Sequence, residues 1–292
     1  MKAFIPYHIV AGDIVFKPTQ EVSEPKDTQW RTFGVRTPDT VFLDEAHLVH
    51  TDNDSQFVEV VVVERVLPSS SIKRAVREIA EKHFADTGEK ANKRMLAQWK
   101  EEYINDSLPN APLKETVVRV AVYGNMLFIG TSSAKLANDV MMYIKGYVID
   151  GFHPDTHIIK PFCIKNISTW LHDVLRDFQW ENVNLGTNAK LYGIKTGRKI
   201  SISNDDALGT WTDLTGYEVA ELQLYIRDNV AFSLNENGVF KSIKLEKTKQ
   251  REDELAESES KTIENRAQWV FMKDALSQMI NIIKKVENYN EL

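Results

Sequence analysis

An α+β fold with mixed or antiparallel sheets is predicted from three observations. Phe57–Val63 (FVEVVVV) is a nearly continuous β-branched run of strand length, the pattern of a buried strand. Gly124-Asn125 and Asn237-Gly238 each sit between strand-like stretches, and such pairs form tight hairpin turns. Apolar residues at helical spacing fill Ile72–Tyr103 and Ala137–Ile144, so the order is strand, helices, hairpin, helix rather than strict βα alternation.

In chain order, Phe4–Val10 and Ile14–Phe16 are expected as short strands broken at Gly12-Asp13, followed by a polar, loop-rich stretch containing Pro18, Pro25 and Pro38. Leu67-Pro68-Ser69-Ser70-Ser71 ends the central strand and offers serines as helix caps. Ile72, Val76, Ile79 and Phe84, then Ala91, Met95, Trp99 and Tyr103, mark a helical hairpin or one long helix broken at Thr87-Gly88, closed by Leu108-Pro109-Asn110-Ala111-Pro112. Thr116–Val122 and Met126–Thr131 form a hairpin. Ser132 or Ser133 caps a helix with Ala137, Val140, Met141 and Ile144 inward, which Gly146 is expected to stop.

In the second half, Ile158–Ile164 reads as a strand, and Ser168 caps a short helix carrying Trp170, Leu171, Val174 and Phe178. Lys190–Ile194 and Lys199–Ser203 are short strands. Ala220, Leu222, Leu224 and Ile226 alternate with Glu221, Gln223 and Tyr225, the signature of a half-buried strand. Val230–Leu234 and Val239–Leu245 pair across Asn237-Gly238, the strongest hairpin signal here. Lys247–Lys261 is a solvated linker, and Leu276, Met279, Ile283 and Val286 line one face of a terminal helix.

Composition narrows the function classes. The single cysteine, Cys163, cannot form an intramolecular disulfide, and no apolar run approaches the roughly 20 residues of a membrane helix. Met1–Val15 lacks the pattern of a signal peptide, so a cytoplasmic protein without membrane partners is expected. The net charge of −6 weighs against nucleic-acid binding without excluding it, because basic groups can be concentrated on one surface.

Motifs for catalysis are weak. Gly193-Ile194-Lys195-Thr196-Gly197-Arg198-Lys199 has the wrong spacing for a phosphate-binding loop and reads as a turn. Asp44, Glu45, His47, His50, Asp52 and Asp54 form an acidic, histidine-rich stretch that could bind a divalent metal. Its plainer reading is a solvated loop. His153 and His157 are four apart, but Pro154 disrupts the helix that would align them. No catalytic residue, metal site or cofactor is assigned.

The basic groups are more suggestive. Lys73, Arg74 and Arg77 occupy the first turns of the Ile72 helix, and Lys90, Lys93, Arg94 and Lys100 its continuation, at spacings that make local stripes. Acidic residues are interleaved, so a salt-bridged solvated helix is the competing reading. Lys195, Arg198 and Lys199 cluster in one turn, and Lys241 and Lys244 lie on the Asn237-Gly238 hairpin. Such groups can track phosphates without reading bases.

Several stretches resemble the RdgC family of recombination-associated DNA-binding proteins. Leu67–Val76 (LPSSSIKRAV) resembles its LPSPVIKQAL-like entry to a charged helix, and Leu108-Pro109 the pair that closes it. Met126–Gly130 with Ser133-Ala134-Lys135-Leu136-Ala137 resembles a strand and SAKKAED-type helix start, and Thr169-Trp170-Leu171 resembles a T-x-WL/V element. Gly216–Phe232 resembles a pair of strands, Asn237-Gly238 with Lys241 and Lys244 resembles DGSLKRLKF, and Arg266–Leu276 resembles the closing helix.

The resemblance implies a centre domain of residues 1–71 and 113–150, a helical tip of 72–112 and a base domain of 151–292. It also implies a homodimeric ring around double-stranded DNA, nucleoid-associated, that limits access of the RecA recombinase. Lys73, Arg74, Arg77, Lys90, Lys93, Arg94, Lys195, Arg198, Lys241 and Lys244 are the expected DNA-facing groups. Pro112 stands where the family has an aromatic residue at the tip contact between subunits, and the family's closing Gly-Gly is absent after Val286. The alternatives are a metal-dependent exonuclease using the Asp44–Asp54 carboxylates and an acidic module that binds recombination or replication proteins.

Overall fold

The computed structural model describes residues 2–16, 22–36, 49–52, 55–162, 167, 171–172, 174, 183–203, 216–226, 230–245, 274–282 and 284. Its first half runs β1 (Ala3–Ala11), β2 (Arg31–Arg36), β3 (Val49–Asp52), β4 (Ser55–Arg65), α1 (Ser69–Thr87), α2 (Lys93–Ser107), β5 (Leu113–Tyr123), β6 (Met126–Ile129) and α3 (Ala134–Tyr143). The second half adds β7 (Ile158–Pro161), β8 (Val183–Gly193), β9 (Lys199–Ile202), β10 (Tyr217–Ile226), β11 (Val230–Asn235) and β12 (Phe240–Leu245). The α+β expectation holds. The chain divides into two compact units, the larger made of Met1–Pro18, Thr37–Glu59 and Arg119–Leu292, the smaller of Thr19–Arg36 and Val60–Val118.

The larger unit is organised around β1. Its Ile5–His8 pair with β6, its Ala3 and Phe4 with β12, and its Tyr7–Ala11 with β7, all antiparallel. Beyond these neighbours the order continues from β6 to β5 on one side and from β12 through β11, β10 and β8 to β9 on the other. Phe4 is fully buried where the two halves of the strand's pairing meet. Its ring lies edge-on to Phe128 of β6 at 5.0 Å and stacks on Phe240 of β12 at 4.7 Å. Ile167, Leu171 and Val174, with Ala275, Leu276, Met279 and Ile280 from the helical residues 274–282, close one face of β8–β12 into a single apolar core.

Several elements differ from the sequence reading. Ile14–Phe16 is not a strand but a single antiparallel bridge, Phe16 with Ile149; the Gln56 side chain accepts from the Phe16 N–H at 2.9 Å and donates to the Ile14 carbonyl at 2.7 Å. Arg31–Arg36 and Val49–Asp52, expected as loop, are strands. Gly146 does not stop its helix. The backbone continues through it as a π turn, Ile144–Val148, with Ile149 N–H donating back to the Ile144 carbonyl at 3.0 Å. The Ser133 cap is found, its hydroxyl accepting from Leu136 N–H at 3.3 Å. Lys247–Lys261, Cys163, Trp170, Phe178, Ile283 and Val286 lie outside the described residues.

In the smaller unit β2, β4 and β5 are neighbours, and α1 and α2 form a hairpin rather than one broken helix. Gly88, at φ 72°, ends α1 in the left-handed conformation that glycine adopts without a Cβ penalty. Asn92 then caps α2, accepting from Met95 N–H at 2.9 Å. The serines after Pro68 lie inside the first turn and make no side-chain cap. At the root of the hairpin the Arg65 guanidinium donates to the carbonyls of Pro109 (2.6 Å) and Pro25 (2.9 Å).

Phe4→Ala removes a ring that two strands share, and is expected to cost about 3–5 kcal/mol of stability, the usual range for a buried Phe truncation. Chemical denaturation would read this as a lowered midpoint with an unchanged slope.

Candidate nucleic-acid interface

With one face of β8–β12 buried against helices, strand alternation turns the other face outward. Leu222, Leu224 and Ile226 of β10 point into the core, and Glu221, Gln223 and Tyr225 point out. The alternation expected from the sequence breaks at Ala220, where a bulge between Val219 and Glu221 makes Val219 the fully buried residue. Opposite residues of paired strands share a face. Lys190 stands across from Glu221, and Tyr192 from Glu218. Lys199 stands across from Tyr192, and Lys241 and Lys244 from Ser233 and Ala231 of β11.

Lys241 and Lys244 share this face because of a bulge. Three residues apart, they would point to opposite sides of a regular strand. Register shifts by one between Ala231 and Ser233, and Ser242 takes φ 53°, so both lysines emerge on the polar side while Ile243 is buried. A second irregularity sits in β8, where Gly186, Thr187 and Asn188 stand against Gln223 alone. The Gln223 side-chain oxygen, Oε1, accepts from Thr187 N–H (3.2 Å) and from the Asn188 side-chain amide (2.6 Å). A Cβ on Gly186 would lie 2.6 Å from Gln223, so this approach requires glycine.

Among the described residues this face therefore presents Lys190, Lys199, Lys241 and Lys244 against Glu218 and Glu221. Glu221 is held from two sides: Lys190 donates to one carboxylate oxygen at 2.7 Å and Lys241 to the other at 3.3 Å. Burial alone would raise the Glu221 pKa. The two ammonium groups outweigh it and hold the carboxyl below the ordinary glutamate value. Lys195 and Arg198 lie exposed in the turn joining β8 to β9 and make no ion pair with described residues. Lys190 is absent from the expected DNA-facing groups. Its signal was available, since Lys190 and Tyr192 flank the apolar Leu191 in strand alternation.

The remaining expected groups lie on the smaller unit's hairpin. Arg74 and Arg77 pair with Glu78 (3.9 Å) and Glu81 (3.5 Å) one turn on, the solvated, salt-bridged arrangement weighed against DNA contact. Lys73, Lys93 and Arg94 are exposed on the helices without such partners among the described residues. Lys90 precedes the α2 cap, so its spacing with Arg94 is not a helical stripe. Between α1 and α2 runs a groove of about 630 Å³, floored by Ile72, Val76 and Leu96 and edged by Lys73, Arg77 and Lys100. Pro112 is exposed at the hairpin's exit, its carbonyl accepting from Val66 N–H at 2.8 Å.

A family model described as "Putative exonuclease, RdgC" matches residues 18–287. The chain belongs to the RdgC family. Its curated relatives include proteins named "Recombination-associated protein RdgC". That of Pseudomonas putida (strain GB-1) is 25% identical over 219 residues, covering 72% of this chain and 70% of the relative. That of Shewanella halifaxensis (strain HAW-EB4) is 22% identical over 246 residues, covering 81% and 78%. The RdgC-like segments supply part of the polar face: Gly216–Leu224 leads into and forms most of β10, and Asn237-Gly238 with Lys241 and Lys244 forms the turn and most of β12, while Lys190 and Lys199 lie outside them. Ala275 and Leu276 of the closing segment are buried beneath that face. Thr169 and Trp170 lie outside the described residues, as do Asp44, Glu45, His47 and Asp54. His50 and Asp52 fall in β3, and no metal-binding group of three or more His, Cys, Asp or Glu occurs among the described residues. No described helix is long and apolar enough to cross a membrane.

Because the folded-state pKa of Glu221 is lowered, its ion pairs stabilise the fold above the unfolded-state glutamate pKa, about 4.3. That contribution is lost as pH falls through the lower folded-state value. Glu221→Gln should therefore be less stable than the natural protein at neutral pH. The gap, followed by denaturation at stepped pH, should close on acidification.

Proposed function

We propose that this RdgC-family protein is not an enzyme but binds double-stranded DNA without sequence preference, as a homodimeric ring, and limits access of RecA to DNA. The observation that carries the reading is the lysine-rich open face of β8–β12 in a chain whose net charge is −6. A surface that presents ammonium donors suits phosphate oxygens, which accept from them without any base being read. The recombination-associated names of the relatives point to the same setting.

Self-association has support in the smaller unit. Neither α1 nor α2 contains a buried residue, and apolar Ile79 and Phe84 are 37% and 51% exposed. Such a hairpin gains most from a partner that covers it. A second copy, meeting it near Pro112, would close a ring. The centre, tip and base division at residues 71, 112 and 150 belongs to this proposal. So do the cytoplasmic, nucleoid-associated location and the DNA-facing roles of the expected basic groups.

The test compares linear and covalently closed duplex of one sequence across a salt series. Affinity should fall steeply with salt, by about 0.9 in the logarithmic slope for each phosphate neutralised. Loss from closed circles should be slow and escape from linear ends easy. Replacing Lys90, Lys93 and Arg94 together with Ala should weaken binding to unrelated sequences alike; unchanged affinity would remove them from the interface. Absence of binding at low salt would move the function to a protein partner. A monomer by sedimentation at micromolar concentration would remove the ring.

The family description favours a second reading, a metal-dependent exonuclease drawing on the Asp44–Asp54 stretch. Magnesium-dependent shortening of end-labelled duplex, abolished by Asp44→Asn with Asp52→Asn, is the outcome that reading expects. Intact DNA after prolonged incubation with magnesium or manganese would sink it.

A further inference from the structure

A carboxylate in the middle of a phosphate-binding face calls for an account, because it repels the ligand the lysines attract. Glu221 is the case in point. Its side chain is 16% exposed, against 57% for Lys190 and 33% for Lys241, so the acid lies beneath the two ammonium groups that reach solvent. Lys190 comes from the adjacent strand β8. Lys241 comes from β12 and crosses β11, where Ser233 and Asn235 face outward and leave room for its stem. Each ammonium has three donors and spends one on Glu221. Two ammonium groups less one carboxylate leave the cluster a single net positive charge.

We propose that Glu221 is an internal counter-ion of this face, holding Lys190 and Lys241 in the free protein and yielding them to duplex phosphates, and so setting how tightly the face grips DNA. The inference rests on the duplex-binding reading above. A phosphate approaching from solvent meets the ammonium groups first and the carboxylate behind them. Each lysine exchanges one anionic oxygen for another, and the carboxylate's repulsion remains as a penalty on the bound state. A contact made by exchange releases less counterion than one made by a bare lysine, and the face can let go of one phosphate without leaving an unpaired ammonium group. The competing account is a strut: the same two bonds tie β8, β10 and β12 together and have no effect on the ligand.

The experiment measures binding of the full chain to a duplex of mixed sequence across a salt series, for the natural protein, Glu221→Gln, Glu221→Ala and Glu221→Asp, with thermal unfolding of each. Both neutral variants should bind about tenfold tighter near 0.1 M salt, with a logarithmic slope steeper by about 0.9, one phosphate equivalent. Glu221→Asp, which keeps the charge, should retain the natural slope. Lys190→Gln should cost more affinity in the Glu221→Gln background than in the natural one, because there the lysine is no longer half neutralised. If the natural protein binds in a salt-sensitive way but folded neutral variants bind no tighter, Glu221 is a strut and the proposal falls alone. Tightening by Glu221→Asp equal to that of Glu221→Gln would also overturn it. Failure of every form to bind at low salt would instead overturn the duplex reading itself.

Discussion

The larger unit depends on one strand having usable edges on both sides. The β1 backbone is shared among β6, β12 and β7, and Phe4 fills the junction with a ring that touches Phe128 on one side and Phe240 on the other. Because a strand's side chains alternate, fixing Phe4 inward fixes Ala3 outward, and Ala3 stands across from Lys241. The register of β12 therefore follows from β1, that of β11 from β12, and that of β10 from β11. A one-residue slip anywhere along this series would exchange core for surface, and the fully buried Phe232, Leu222 and Leu224 oppose such a slip at each step. The polar face is as well defined as the core it backs.

That coupling reconciles an acidic chain with the anionic ligand proposed for it. Net charge is a sum over the whole surface, whereas binding is governed by the field over one part of it. The interleaved acids of α1 pair with its own arginines at i, i+4 and leave little field. On the sheet, lysines from strands distant in sequence are brought into one layer with two carboxylates for company. The hairpin and the sheet thus use similar residue types to different electrostatic ends.

Much of this was readable in the sequence. The β-branched run, the two Gly/Asn turns, the Ser133 cap and the alternation of Leu222, Leu224 and Ile226 each act through short-range physics, and each led to the element found. What was hidden required partners far away in the chain. Val183–Ala189 (VNLGTNA) has no clean alternation because Gln223 plugs a bulge there, and Ile14–Phe16 has strand-like residues but among the described residues makes only one bridge, to Ile149, beside the Gln56 amide. For the candidate site, charge and turn position led to Lys195, Arg198, Lys241 and Lys244, while Lys190, whose alternation with Leu191 marked only its face, was tied to the site by the register against Glu221. The helical groups Lys73, Arg74 and Arg77 were legible as exposed cations. Their pairing or freedom depended on side-chain geometry that spacing alone left open.

The bulge at Ser242 has a bearing on how such a surface can change over time. In an unbroken strand, polar and apolar positions are locked in antiphase, so a charge can be moved along the face only in steps of two. One additional residue resets the phase: it lets the chain place cations at odd intervals on the polar side while the apolar rhythm resumes beneath. A single insertion or deletion in β12 could therefore redraw the spacing of positive charge without altering any residue of the interior. Relatives aligned through their hydrophobic positions would keep the same architecture and differ in how their cations are spaced.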